Sequence, residues 1–195
     1  MDRTDIIQRF ISKIDAKSYL EVGLGNGKNF KQIKCKIKIG VDPCLSDGSH
    51  LADPSYRMTS DEYFRDNKQK FDVIFIDGLH LAWQVERDIE NALKVLNEGG
   101  YIVCHDINPI NEASQIVPRV QKQWNGDCWK AWVKIRANNP DLKMYVVDTD
   151  SGCGVIQRGS QELVKLGDQE LTYDNLVKNK KHWLNLISVD EYLGR

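Results

Sequence analysis

The chain lacks several features that would place it at once. None of its apolar runs is longer than a strand, far short of the ~20 residues a membrane-spanning helix needs. It has no excess of either charge, since 27 Lys and Arg stand against 28 Asp and Glu for a net charge of -1. Duplex nucleic acid is usually met by a basic face, and this balance supplies none. The opening MDRTDIIQRF has mixed charge and no apolar signal core, so export is not expected. Five scattered cysteines (Cys35, Cys44, Cys104, Cys128 and Cys153) include no C-x-x-C pair. They read as reduced cytoplasmic thiols, not as a disulfide frame or zinc knuckle. Repeats, low-complexity tracts and linkers are missing too. What these absences leave is a soluble cytoplasmic protein, residues 1–195, expected to be one domain with material for a sizeable core.

What is present alternates between two periods. Ile6, Ile7, Phe10, Ile11 and Ile14 recur at helical spacing and give a short amphipathic leader helix. SYLEVG reads as a strand, GLGNGKNFKQI as a tight turn opening a helix, and KIKIGVD as a second strand. The loop from Pro43 to Tyr56 is rich in Ser, Asp, Gly and Pro and is expected to be irregular. TSDEYF has the look of a capped helix start, with Ser60 or Thr59 at the N-cap. FDVIFID and YIVCHD are buried strands, because neither alternates with polar residues. Between them Val85, Ile89, Ala92, Leu93 and Leu96 form a helical stripe that NEGG is expected to end at a glycine C-cap. Asn125-Gly126-Asp127 marks the start of the helix CWKAWVKIRANN. KMYVVDTD and CGVIQRG are two strands joined by Ser151-Gly152. The tail, about 160–195, reads as helical, with Leu176, Val177, Trp183, Leu184 and Ile187 available to dock.

Apolar strands alternating with helices predict an α/β fold: a mostly parallel sheet with helices on both faces and an antiparallel edge hairpin. In such sheets ligands bind outside the carboxyl ends of the strands. Those ends carry the polar residues here. The first strand ends in Glu21 and the glycines Gly23, Gly25 and Gly27, and the second ends in Asp42. The two buried strands end in Asp77, followed by His80, and in His105-Asp106. The glycine loop lacks the G-x-G-x-x-G of a dinucleotide fingerprint, because Lys28 stands where the third glycine belongs. An acid beside such a loop suits a cationic amino-acid ligand, and an acid about 20 residues later suits ribose hydroxyls.

In order and spacing, YLEVGLGNG, IGVDP, MTSDEYF, FDVIFIDGLH and EGGYIVCHD resemble the Rossmann-like class I S-adenosylmethionine-dependent methyltransferases. The likeness covers roughly Lys17 to Gly159. It is strongest to the Asp-Gly-x-His group that includes the macrolide-sugar O-methyltransferases. The resemblance implies that the Gly23–Gly27 loop wraps the methionine part of the cofactor, that Asp42 holds the ribose, and that Ser60 lies near the adenine. It further implies Asp77 and Asp106 as ligands of magnesium or another divalent metal, with His80 as general base. His105 departs from the pattern, which has a carboxylate there; it is an additional ligand candidate, and its nitrogen weakens the case for magnesium.

Each of these residues also has a plainer use. Asp77 would cap the following helix, His80 would be an exposed first-turn residue, and Asp106 would cap a helix after Pro109. Trp124, Trp129 and Trp132 would line an acceptor pocket or pack a helix on the sheet. The expected activity is methyl transfer from S-adenosylmethionine to a small-molecule hydroxyl, on a sugar or related metabolite, with metal assistance. Two alternatives stay open: an iron or zinc enzyme using the mixed His/Asp set, and a cofactor-binding protein without turnover. The expected partner is a small-molecule acceptor, with neither nucleic acid nor membrane; a homo-oligomer is left open.

Overall fold

The computed structural model describes residues 1–43 and 55–195, and most of the Pro43–Tyr56 loop lies outside them. One seven-stranded sheet runs through the molecule in the order β2-β1-β3-β4-β6-β5-β7. Helix α1 (Arg3–Lys13) leads into β1 (Ser18–Val22), α2 (Lys28–Gln32), β2 (Ile37–Val41) and α3 (Ser60–Asp66). Next come β3 (Phe71–Ile76), α4 (Ala82–Val95), β4 (Leu96–Cys104), α5 (Glu112–Gln115) and α6 (Cys128–Asn138). The chain closes with β5 (Leu142–Val147), β6 (Cys153–Arg158), α7 (Tyr173–Leu184), β7 (Leu186–Ile187) and α8 (Val189–Leu193). Strands β2, β1, β3 and β4 are mutually parallel, and β6 is antiparallel to both β4 and β5.

The alternation of side chains along each strand builds two cores, one on each face. Leu20, Ile74, Ile102 and Ile156 pack under α4, α6 and α7 with Ile89, Trp129, Trp132 and Trp183. Tyr19, Val73, Val103 and Val155 pack on the other face under α1, with Ile6, Ile7, Phe10 and Ile11. Two helical layers therefore cover the sheet, as all-apolar strands require. Trp129 and Trp132 are wholly buried, so their use is packing.

Several local expectations are corrected. Helix α4 ends at Val95 in an extended Leu96, and NEGG lies within β4, where the register with β3 shifts between Phe71 and Val73. A glycine C-cap is thus replaced by an irregularity in the ladder. The β5–β6 hairpin is not the edge, because β7 from the tail pairs with β5 beyond it. The tail is therefore not purely helical, and Val177 is 56% exposed while Leu176, Trp183 and Leu184 are buried. At the other edge, the described residues hold a single parallel bridge, Val41–Tyr56, ahead of α3.

Candidate active site

Register fixes the rim. Val22 pairs with Val41 and with Ile76, and Ile76 pairs with Cys104, so these residues form one row across four parallel strands. The next residue in each strand is Asp42, Gly23, Asp77 or His105. Three further hydrogen bonds carry the ladder onto it: Gly23 N to Val41 O, Asp77 N to Val22 O, and His105 N to Ile76 O. These residues open on a cleft of about 1240 Å³.

At one end of the cleft, Glu21 is almost fully buried. Its Oε2 accepts from Tyr19 Oη at 2.5 Å and from Asn29 Nδ2 at 2.9 Å. Burial pushes its carboxyl up to about 7, against those two hydrogen bonds. Gly23 and Gly25 have positive φ of 82° and 51°, which favours glycine. A Cβ on Gly23 would sit 2.2 Å from Asp77 O, so the loop packs backbone to backbone on the end of β3. A Cβ on Gly25 would meet nothing within 4 Å, which leaves that backbone open to a ligand. Asp42 Oδ2 accepts from Leu24 N at 2.8 Å and Gly25 N at 3.2 Å, fastening the loop to the end of β2. Gly27 starts α2 with φ of 70° and does not line the cleft. Its part is to turn the chain.

Thr59, not Ser60, caps α3, in a reciprocal box with Glu62. Ser60 is left to line the cleft, and its Oγ accepts from Gln84 Nε2 at 3.2 Å. Gln84 also reaches Asp88, whose buried carboxyl is raised to about 6 by burial.

The other end gathers the acids and imidazoles. His80 Nε2 lies 3.3 Å from Asp77 Oδ1 and 3.4 Å from Asp106 Oδ2. Its Nδ1 lies 3.1 Å from the Trp124 carbonyl, so Nδ1 carries a proton and Nε2 faces the two carboxylates. His105 Nδ1 lies 2.9 Å from Asp106 Oδ2 and 3.4 Å from Asp77 Oδ1. Burial opposes charge on both rings, but the surrounding carboxylates raise both above the usual imidazole range. Burial likewise opposes ionisation of Asp77, and His105, His80 and Arg3 outweigh it, holding the carboxyl well below its usual range.

The plainer uses of these residues fail. Helix α4 is capped from outside, by Asp127 Oδ1 on Ala82 N at 2.7 Å, and α5 by Asn111. Asp77 and Asp106 cap neither. His80 is less than a quarter exposed and stacks on Trp124, with ring centroids 5.4 Å apart. Of the three tryptophans considered, Trp124 alone serves this site. Sequence reasoning missed Arg3 and Asp150. Arg3 Nη1 donates to Asp77 Oδ2 at 2.7 Å, and its Nε donates to Asp150 Oδ2 at 2.7 Å. Asp150 sits at the tip of the β5–β6 hairpin, where Asp150, Ser151 and Gly152 all have positive φ. That turn was legible in TDSG; its arrival at the rim was not.

Among the described residues, Asp77, His80 and Asp106 offer ligand atoms all within 4.8 Å of one another. Carboxylate oxygens and an imidazole nitrogen fit a divalent cation, and buried His105 stands beside them, paired with Asp106 Oδ2 at 2.9 Å.

The fold is one that this chain shares with solved O-methyltransferases. Residues 46–107 match the family model described as a methyltransferase domain. Among solved structures, the O-methyltransferase from Bacillus cereus in complex with SAH superposes with a TM-score of 0.56 at 16% identity, over 82% of this chain and 80% of that one. The O-methyltransferase TomG from Streptomyces achromogenes, in complex with SAM, gives 0.58 at 12% identity, over 81% and 80%. A viral relative, uncharacterized protein R132 of Acanthamoeba polyphaga mimivirus, is 28% identical over 131 residues. That match covers 55% of this chain and 59% of the relative, so the chain spans under two thirds of it. No helix among the described residues is long and apolar enough to cross a membrane.

Proposed function

We propose that the chain transfers the methyl group of S-adenosylmethionine to a hydroxyl of a small-molecule acceptor, a sugar or related metabolite. The observation that carries this reading is that one cleft is lined by Glu21, Gly23 and Gly25 at one end and by Asp77, His80, His105 and Asp106 at the other. Glu21 at the glycine loop suits the cationic amino group of the methionine part. Asp42, fastened to the same loop, suits the ribose hydroxyls, and Ser60 at the start of α3 suits the adenine. Two superposed O-methyltransferases hold this class of ligand in their solved structures, SAH in that from Bacillus cereus and SAM in TomG.

Methyl transfer from a sulfonium is an in-line displacement: the acceptor oxygen attacks the methyl carbon as the carbon–sulfur bond breaks, and the hydroxyl proton must leave. The cluster of Asp77, His80, His105 and Asp106 lies where such a proton can be taken up and its charge compensated. A divalent cation held by Asp77, Asp106 and His105 would lower the pKa of the hydroxyl. The protein's own contribution is orientation: Arg3 and Asn125 hold the outer oxygens of the two acids, and Trp124 holds His80.

The test is a turnover screen with S-adenosylmethionine against sugars, nucleotide sugars and phenols, with and without divalent metal. Formation of SAH dependent on one hydroxylated acceptor supports the reading. SAH formation with amine acceptors only, or none with any acceptor despite tight cofactor binding, contradicts it.

A further inference from the structure

At the acidic end of the cleft the charged side chains are paired with one another. Arg3 is held by Asp77 and Asp150, and Asp77, Asp106 and Asp150 also face the two imidazoles. Arg119 is different. It is exposed, it lines the same cleft beside Gln123, and among the described residues no carboxylate pairs with it. Its hydrogen bonds go to backbone carbonyls, from Nε to Gln121 O at 2.8 Å and from Nη2 to Lys122 O.

An exposed arginine without an acid is ordinary, and two features set this one apart. The first is the fixed direction of its guanidinium. The two carbonyls take the Nε side and leave Nη1 without a protein partner among the described residues. The free end of the fork, Nη1–H beside the second Nη2–H, is the pair of parallel donors that a carboxylate or phosphate accepts from. The surrounding loop is itself tied, with Trp124 Nε1 donating to Ile116 O and Gln121 Nε2 to Gln123 O, each at 2.7 Å. Holding the guanidinium beforehand lowers the entropy cost of meeting an anion.

The second feature is its place. Arg119 Cζ lies 6.0 Å from the centroid of the Trp124 ring, and that ring stacks on His80 at 5.4 Å. Guanidinium and imidazole are therefore no farther apart than those two steps together. With about 3 Å taken by a hydrogen bond at each end, the span left is no more than the width of one hexose ring.

We propose that Arg119 selects the acceptor: a hydroxylated molecule of monosaccharide size that carries an oxyanion, phosphate or carboxylate, with the anion on Arg119 and the hydroxyl at His80. The inference rests on the methyl-transfer reading and deepens it by naming the charge of the acceptor.

Full-length protein saturated with SAH and titrated by calorimetry with glucose, galactose and mannose, each as neutral sugar, uronate and 6-phosphate, tests it. SAH formation from S-adenosylmethionine is followed on the same panel. The charged forms of at least one sugar should bind about 10-fold or more tightly than its neutral form, with the gap shrinking as salt rises from about 0.02 to about 0.3 M. The uronate and phosphate arms tell the two anions apart. Arg119→Gln should remove the gap, and Arg119→Lys should restore part of it, because lysine keeps the charge and loses the fork. Equal affinity for charged and neutral forms, no binding of any member, or a gap that survives Arg119→Gln in protein that circular dichroism shows folded, overturns the proposal. SAH titrated alone keeps the two readings apart. Tight SAH binding with no gap defeats the acceptor assignment alone; a gap in protein that binds no SAH defeats the methyl-transfer reading.

Discussion

Arg3 and Asp150, 147 positions apart, meet in three hydrogen bonds: the Arg3 backbone N and Nε to Oδ2, and Nη2 to Oδ1. The remaining guanidinium nitrogen, Nη1, reaches Asp77. One side chain on the first turn of α1 thus joins a hairpin tip to the end of β3. Replacing it removes from two partly buried carboxylates the guanidinium between them and leaves only the imidazoles facing them, so Arg3→Ala should cost about 1–3 kcal/mol, discounted for partial exposure. Lysine has no planar fork, so Arg3→Lys should recover only part of that. Urea unfolding of the two variants measures both; equal stability to the parent would reduce the clamp to a surface contact.

Asp42 does two things in this account: it fastens the glycine loop at Leu24 and Gly25, and it meets the ribose. A hydrogen bond to a charged group is worth about 1.5–3 kcal/mol, so Asp42→Ala should weaken S-adenosyl ligands roughly 10- to 150-fold. Calorimetry giving an unchanged dissociation constant would remove Asp42 from the site.

Glu21 gives cofactor binding a pH dependence. Its carboxyl is pushed up to about 7 by burial, so below that pH it carries a proton and loses the charge that meets an ammonium. Affinity for SAH should be flat above pH 8 and fall about tenfold per unit below 7. Glu21→Gln should bind weakly at every pH and show no such slope. A parent profile flat from pH 5.5 to 8.5 would contradict the assignment.

Asp88 makes the matching statement about stability. Among the described residues nothing hydrogen-bonds its Oδ2, and burial raises its carboxyl to about 6. The folded chain then keeps a proton that the unfolded chain releases near pH 4. Its contribution therefore falls as pH rises from about 4 to about 6, and stays lost above that. Asp88→Asn removes the slope and should stabilise the protein at pH 7.5 by about 1–3 kcal/mol. Thermal melts at pH 4 and 7.5 would show this as a gain at the higher pH; a loss there would mean the carboxylate is partnered.

The rim was legible because buried strands can release polar side chains only at their ends. Asp42, Asp77 and His105 therefore had to fall in one row, and only the register of β1, β3 and β4 remained to be seen. Arg3 was not legible, because its reach depends on how α1 packs against Tyr101 and Val103, which no local pattern encodes. Asp150 was hidden by the same kind of distance, since a hairpin tip shows its turn but not where the turn docks. The end of α4 was misread because glycine signals both a helix cap and a strand irregularity, and pairing with β3 chose the latter. Val177 failed as a docking residue because α7 buries the stripe through Leu176, Trp183 and Leu184 instead.

The central claim is that the Gly23–Gly27 loop, Glu21 and Asp42 hold an S-adenosyl ligand and not a dinucleotide. Calorimetric titration of the chain with SAH and, separately, with NAD tests it directly. The account predicts one SAH per chain, loss of that binding in Gly25→Val with the fold retained by circular dichroism, and no heat from NAD. Tight NAD binding with no response to SAH would contradict it.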